Sequence, residues 1–164
     1  MRRFPTPPDL GLRGNLYLEF WKLNYNTTKA YRDEEWFKLM VESDRVYAHV
    51  VASVPDKDLY YSFGYKGRTT GRDTKHRDSD IKIIVPKIIA KRLYTQLEIP
   101  VESSFSRDNH IKLLTRGYDD SDKLDPETGY PKYFCCSTYI AWCLRLPKYN
   151  HYSCDELFNY ITNI

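Results

Sequence analysis

Four cysteines, at positions 135, 136, 143 and 154, crowd into the last 30 residues of the chain. The segment YFCCSTYIAWCL (residues 133–144) reads as the opening of a helix, with Cys136 in its first turn. A thiol there meets unpaired backbone N–H groups and the positive end of the helix dipole, and both favour the nucleophilic thiolate. At helical spacing Cys136, Ile140, Cys143 and Leu144 share one face, so Cys143 is expected to be packing. His49 interrupts an apolar, β-branched run, VYAHVVAS (residues 46–53). An imidazole in a core strand needs a hydrogen-bond partner, and a thiol is one. Such a pair supports acyl transfer: the thiolate attacks a carbonyl and the imidazole then protonates the leaving group. First-turn N–H groups would steady the oxyanion. A third polar group would orient the ring. Ser62 on the following strand is the best-placed candidate, with Tyr61 or another polar residue as a replacement. Both halves of the pair also have a plainer reading, an ordinary core thiol and a satisfied core histidine.

The elements that must position these residues are legible in outline. Residues 15–21 (NLYLEFW) form a strand candidate. Residues 33–40 suit a short helix through Trp36, Phe37, Leu39 and Met40. Residues 46–53 and 59–63 pair as a hairpin across a turn at 55–58. Residues 64–80 (GYKGRTTGRDTKHRDSD) read as an exposed loop, and 81–85 as a further strand. Pro86 sits at the start of a helix over 87–97. Residues 100–131 are polar and turn-rich around an apolar patch at 111–114. The cysteine-bearing helix runs over 136–146 until Pro147 stops it, and a last helix covers 155–161. This order predicts an α+β domain over residues 14–164, with an antiparallel sheet packed on the cysteine-bearing helix and an irregular arm at 1–13.

Composition narrows the class. The 164 residues suffice for one domain with a real core. Apolar residues at 41% and charged residues at 29% indicate a folded, water-compatible chain. No apolar run reaches the roughly 18 residues of a membrane span. The N-terminal MRRFPTPPDL has no hydrophobic region behind its arginines, so it does not read as a secretory signal. The net charge of +3 is too mild to demand a nucleic acid. Cysteines that are clustered rather than spread around the core point to reduced thiols and a cytoplasmic setting. Tyrosine is the excess, at 15 residues.

The segments VYAHVVAS and YFCCSTYIAWCL together resemble the permuted NlpC/P60 branch of the papain-like cysteine hydrolases. That branch includes lecithin retinol acyltransferase-like enzymes and poxviral relatives. The resemblance implies a histidine on an early strand, matched by His49, and a cysteine opening a later helix, matched by Cys136 before Ser137. Gly14-Asn15 followed by Leu-Tyr-Leu is similar to the opening strand, with Asn15 where the family often has an acidic residue. The doubled Cys135-Cys136 leaves the register open by one residue, and Cys136 is preferred because Ser137 follows it. The third family residue is often acidic or histidine, whereas Tyr61-Ser62 stands here. The resemblance implies a permuted papain-like fold and a thiol hydrolase or acyltransferase without a cofactor. Its substrate would be a peptide, isopeptide or lipid ester, and a viral or phage product in the host cytoplasm would fit.

Three competing sites remain. Zinc is disfavoured, because no C-x2-C or H-x3-H spacing exists and His76, His110 and His151 lie in polar segments expected to be solvated. GYKGRTTG lacks the ending of a phosphate loop. The basic loop, with Lys66, Arg68, Arg72, Lys75, His76 and Arg77 among Tyr60, Tyr61, Phe63 and Tyr65, matches the composition of single-strand nucleic-acid binders. In the enzyme reading Tyr61, Tyr65, Arg68, Arg72 and Tyr133 would instead line a substrate cleft. The alternative function is therefore a non-catalytic interaction protein using this aromatic and basic surface. Nothing in the sequence bears on oligomeric state.

Overall fold

Alternating large apolar residues in the first half of the chain build a five-stranded antiparallel sheet. A computed structural model describes residues 14–23, 31–71 and 78–164. The strands are β1 (Tyr17–Lys22), β2 (Tyr47–Val54), β3 (Leu59–Gly64), β4 (Gly67–Thr69) and β5 (Ile81–Ile84). Their order is β4-β3-β2-β1-β5, with every neighbouring pair antiparallel. The helices are α1 (Glu35–Glu42), α2 (Lys87–Leu97), α3 (Arg107–Arg116), α4 (Cys136–Cys143) and α5 (Cys154–Thr162). The mixed α+β class follows. Among the described residues no helix is long and apolar enough to cross a membrane.

Strand period two sends Leu18, Phe20, Val50, Ala52, Val54, Tyr61 and Phe63 to one face, each at most 1% exposed. Burying each large side chain contributes about 1.5–3 kcal/mol. Helices α2, α4 and α5 cover this face. Tyr139 of α4 lies 5.4 Å from Phe63, Phe158 of α5 lies 5.3 Å from Phe20, and Tyr94 of α2 lies 6.2 Å from Tyr61. One apolar cluster thus runs from Leu16 to Ile161. A smaller one joins Trp36, Phe37 and Met40 of α1 to Leu114 of α3.

The structure departs from the sequence expectation at four places, each with a local cause. Helix α4 ends at Cys143 because Arg145 takes a left-handed φ of 58°. The N–H of Leu146 then bonds the Ala141 carbonyl and that of Arg145 the Trp142 carbonyl, a Schellman closure before Pro147 is reached. Helix α3 arises within the stretch expected to be turn-rich. Ser106 caps it by accepting from the Asn109 N–H at 3.2 Å, and Gly117 at φ 85° closes it. Its buried face carries Asn109 and His110, which breaks the apolar stripe. Strand β4 forms inside the expected loop, pairing Ser62 with Thr69 and Phe63 with Arg68. Finally, β2 holds one extra residue. Trp21 pairs with His49 but Lys22 pairs with Tyr47, so Ala48 is unmatched. This bulge lets Tyr47 and Val50 both join the main core, while Ala48 packs on the smaller cluster.

Candidate functional site

Cys136 is the first residue of α4, and that end of the helix is held by a buried polar chain. The preceding Cys135 is extended, at φ −113° and ψ 179°. Its N–H donates to Thr138 Oγ1 at 3.0 Å, the reciprocal arm of a capping box. Ser121 Oγ reaches the same Thr138 oxygen at 3.4 Å. The Ser121 N–H donates to Asp119 Oδ1 at 2.8 Å, and Asn109 Nδ2 of α3 donates to Asp119 Oδ2 at 3.1 Å. The first turn of α4 is therefore tied to α3 through Asp119. Burial pushes the Asp119 carboxyl up to about 6.

Cys154 is likewise the first residue of its helix, α5, behind a Ser153–Glu156 capping box. Its Sγ lies 3.7 Å from Cys136 Sγ. The approach is fixed from the sheet side. Both oxygens of Asp155 accept backbone N–H groups at the start of β2, from Tyr47 at 2.9 Å and Val46 at 3.0 Å. Arg45 donates to Ser153 Oγ at 3.0 Å. Helix α5 is thus pinned to the strand that carries His49.

His49 follows the bulged Ala48, a position where bulges re-aim a side chain. Its ring lies 5.5 Å from that of Trp21, and its imidazole is among the groups that lower the Cys136 thiol. His110 of α3 couples electrostatically to Cys136 only in its protonated form. It is buried, contrary to the expectation of a solvated residue, and stacks 5.1 Å from Trp36 at an interplanar angle of 29°. Burial holds its imidazole down at about 4, so it is neutral at pH 7.

These neighbours divide the protonation of the two touching thiols. The Cys154 hydrogen bond, with His49 behind it, holds Cys136 well below the ordinary thiol range, against the cost of burial. The bond to Cys136 and burial, with Asp155 nearby, hold Cys154 well above it. The first turns agree: α5 carries Asp155 and Glu156, whereas α4 carries no acidic residue there. Cys136 is accordingly the more readily ionised of the two and Cys154 the better placed to donate. Cys135 is pushed up to about 12 by burial and by the Cys136 charge. Cys143 is also driven up by burial. Of the doubled pair, Cys136 is the thiol whose surroundings favour the ionised form.

The remaining candidates separate. Ser62 is half-buried on β3 opposite Thr69. Tyr61 is fully buried and donates its hydroxyl to Glu98, so it belongs to the core and not to a cleft wall. Arg68 is also structural: it donates to the Leu97 carbonyl at 2.6 and 3.2 Å and sits 5.8 Å over the Tyr61 ring. Tyr65 is 44% exposed, with the Arg107 guanidinium 4.7 Å over its ring. Tyr133 is half-buried beside Lys132, whose Nζ is 5.9 Å from the ring. Arg72 lies outside the described residues. Among the described residues no cluster of three or more His, Cys, Asp or Glu side chains could hold a metal ion.

Sequence reasoning missed Cys154 and His110. A signal existed for each. The box SCDE (residues 153–156) marks Cys154 as a second helix-opening thiol, and Ser106 with Gly117 brackets the helix that carries His110. No protein-family model, no curated protein and no solved structure matches the chain.

Proposed function

We propose that the chain is a thiol hydrolase or acyltransferase acting on an amide or ester through Cys136 and His49. The observation that carries this reading is the Cys136 thiol, which opens α4 with Cys154 Sγ 3.7 Å away and is held below the ordinary thiol range by Cys154 and His49. In the first half-reaction Cys136 Sγ forms a bond to the acyl carbon, and the first-turn N–H groups of α4 face the oxygen that gains charge. The carbon–leaving-group bond breaks as His49, holding the proton it took from the Cys136 thiol, passes it to that group. In the second, His49 takes a proton from water or another acceptor, which displaces Sγ from the thioester. Cys136 is 8% exposed, so little of the residue is open to a substrate.

The direct test is acylation by a p-nitrophenyl ester, read by intact mass and peptide mapping. The reading predicts one acyl group on Cys136, lost in His49→Ala and retained in Cys135→Ala. Acylation spread over surface groups and indifferent to His49 would overturn it.

A second reading, a non-catalytic interaction protein, draws on Arg107 over Tyr65 at 4.7 Å and Arg116 over Tyr118 at 4.3 Å. Exposed aromatic rings with guanidinium partners suit stacking on unpaired bases. It predicts salt-dependent binding of a labelled single-stranded oligonucleotide, weakened by Tyr65→Ala and Arg107→Ala. Polarisation unchanged at low salt would exclude it.

A further inference from the structure

The contact between Cys136 and Cys154 offers a chemistry that needs no acyl substrate. Both sulfurs open a helix, and each helix is capped and packed on the same core face. They are 3.7 Å apart across 18 positions of sequence, against about 2.0 Å for a sulfur–sulfur bond. The other two cysteines have different surroundings. Cys135 Sγ lies against the hydroxyls of Ser137 and Thr138, at 3.3 and 3.4 Å. Cys143 is the last residue of α4, at the end far from Cys136, and is fully buried.

We propose that Cys136 and Cys154 form a redox-responsive dithiol, a site at which a small hydroperoxide reversibly oxidises the protein. The Cys136 thiolate attacks one peroxide oxygen. The O–O bond breaks, an S–O bond forms, and the departing alkoxide or hydroxide takes a proton from solvent. Cys136 is now a sulfenic acid, oxidised by two electrons, and the peroxide has been reduced by two. Cys154 then loses its proton and attacks the Cys136 sulfur. The S–S bond forms as the S–O bond breaks, and one water leaves. A dithiol reductant returns both thiols by exchange.

The burial of the pair selects for the smallest oxidants. Cys136 is 8% exposed and Cys154 3%, which suits hydrogen peroxide and excludes a bulky disulfide as the attacking reagent. The oxidised form also lacks the free Cys136 sulfur, so the same event silences any acyl chemistry there. The reaction goes beyond the hydrolase reading and stands without it.

The test treats the reduced full chain with a slight excess of hydrogen peroxide, then denatures and alkylates it. The expected product has lost two hydrogens in mass and two of its four alkylatable thiols. Mapping joins residue 136 to residue 154, and dithiothreitol restores all four thiols. Four thiols still free after the peroxide is consumed would overturn the proposal. So would a sulfinic acid at Cys136 beside a free Cys154, or a bond formed through Cys135 or Cys143. In Cys154→Ser the expected product is a sulfenic acid at Cys136, trapped by dimedone, with no disulfide. Wild-type mapping decides the matter even if that variant folds poorly. Because the readout is mass and needs no ester, its failure is distinct from failure of acylation.

Discussion

Cys136 Sγ and Cys154 Sγ touch at 3.7 Å, each the first residue of its own helix, and the two thiols are unequal in acidity. The inequality has a visible source. His49 lowers the Cys136 thiol, while an acidic first turn surrounds Cys154.

Removing either support should therefore slow the thiolate chemistry of Cys136. In Cys154→Ala and in His49→Ala, alkylation of Cys136 by iodoacetamide at pH 6 is expected to fall about tenfold. The rate should recover as pH rises through the ordinary thiol range. Cys135→Ala should leave the pH 6 rate within about twofold, because Cys135 is protonated there. Residue-resolved mass spectrometry across pH separates these cases.

The polar chain behind α4 should be worth more than its exposure suggests. Thr138→Val removes the acceptor for the Cys135 N–H and leaves that donor buried. A loss of about 1–2 kcal/mol is expected in urea unfolding, with Thr138→Ser recovering most of it. The same variant should loosen the Cys136 position and lower its labelling rate, which a remote stability loss would not do.

Asp155 ties α5 to β2 through two charge-assisted bonds. Asp155→Ala should cost about 1–3 kcal/mol, and Asp155→Asn less, since an amide oxygen still accepts. The informative readout is the peroxide product. With α5 loosened, Cys136–Cys154 closure should become slower relative to dimedone capture of the sulfenic acid.

His110 gives a signed pH prediction. Its folded value of about 4 lies below the ordinary 6.5, so the native state binds fewer protons between those limits. Stability from this group is present above pH 6.5 and is lost as pH falls through 4, at most about 3 kcal/mol. Asp119, raised to about 6, acts oppositely: its contribution is present below 3.8 and is lost as pH rises through 6. The two largely mask each other in the wild type. His110→Phe keeps a ring on Trp36, and the Nδ1 it removes has no hydrogen-bond partner. Its stability relative to wild type should rise as pH falls from 6.5 to 4, measured by denaturant unfolding at several pH values. A difference that does not change with pH would refute the buried neutral imidazole.

What the sequence by itself determined was local. β-Branched runs and turn residues marked β2, β3 and the hairpin between them, and apolar spacing marked α2. The CCST segment placed Cys136 in a helical first turn, and a histidine inside an apolar strand marked His49. These features depend on neighbours a few residues away. The tertiary structure decided the rest. The bulge at Ala48 depends on the pairing of β2 with β1 and on where Tyr47 packs, and period two alone does not encode it. Tyr61 looked like a cleft residue until the core face of β3 buried it beneath α2. His110 sits in a polar segment, and only the packing of α3 against Trp36 takes it out of water. Cys154 became Cys136's partner through Asp155, which fastens α5 to β2 from more than a hundred residues along the chain. Contacts of that range leave no periodicity to read, and it is they that bring the two sulfurs together.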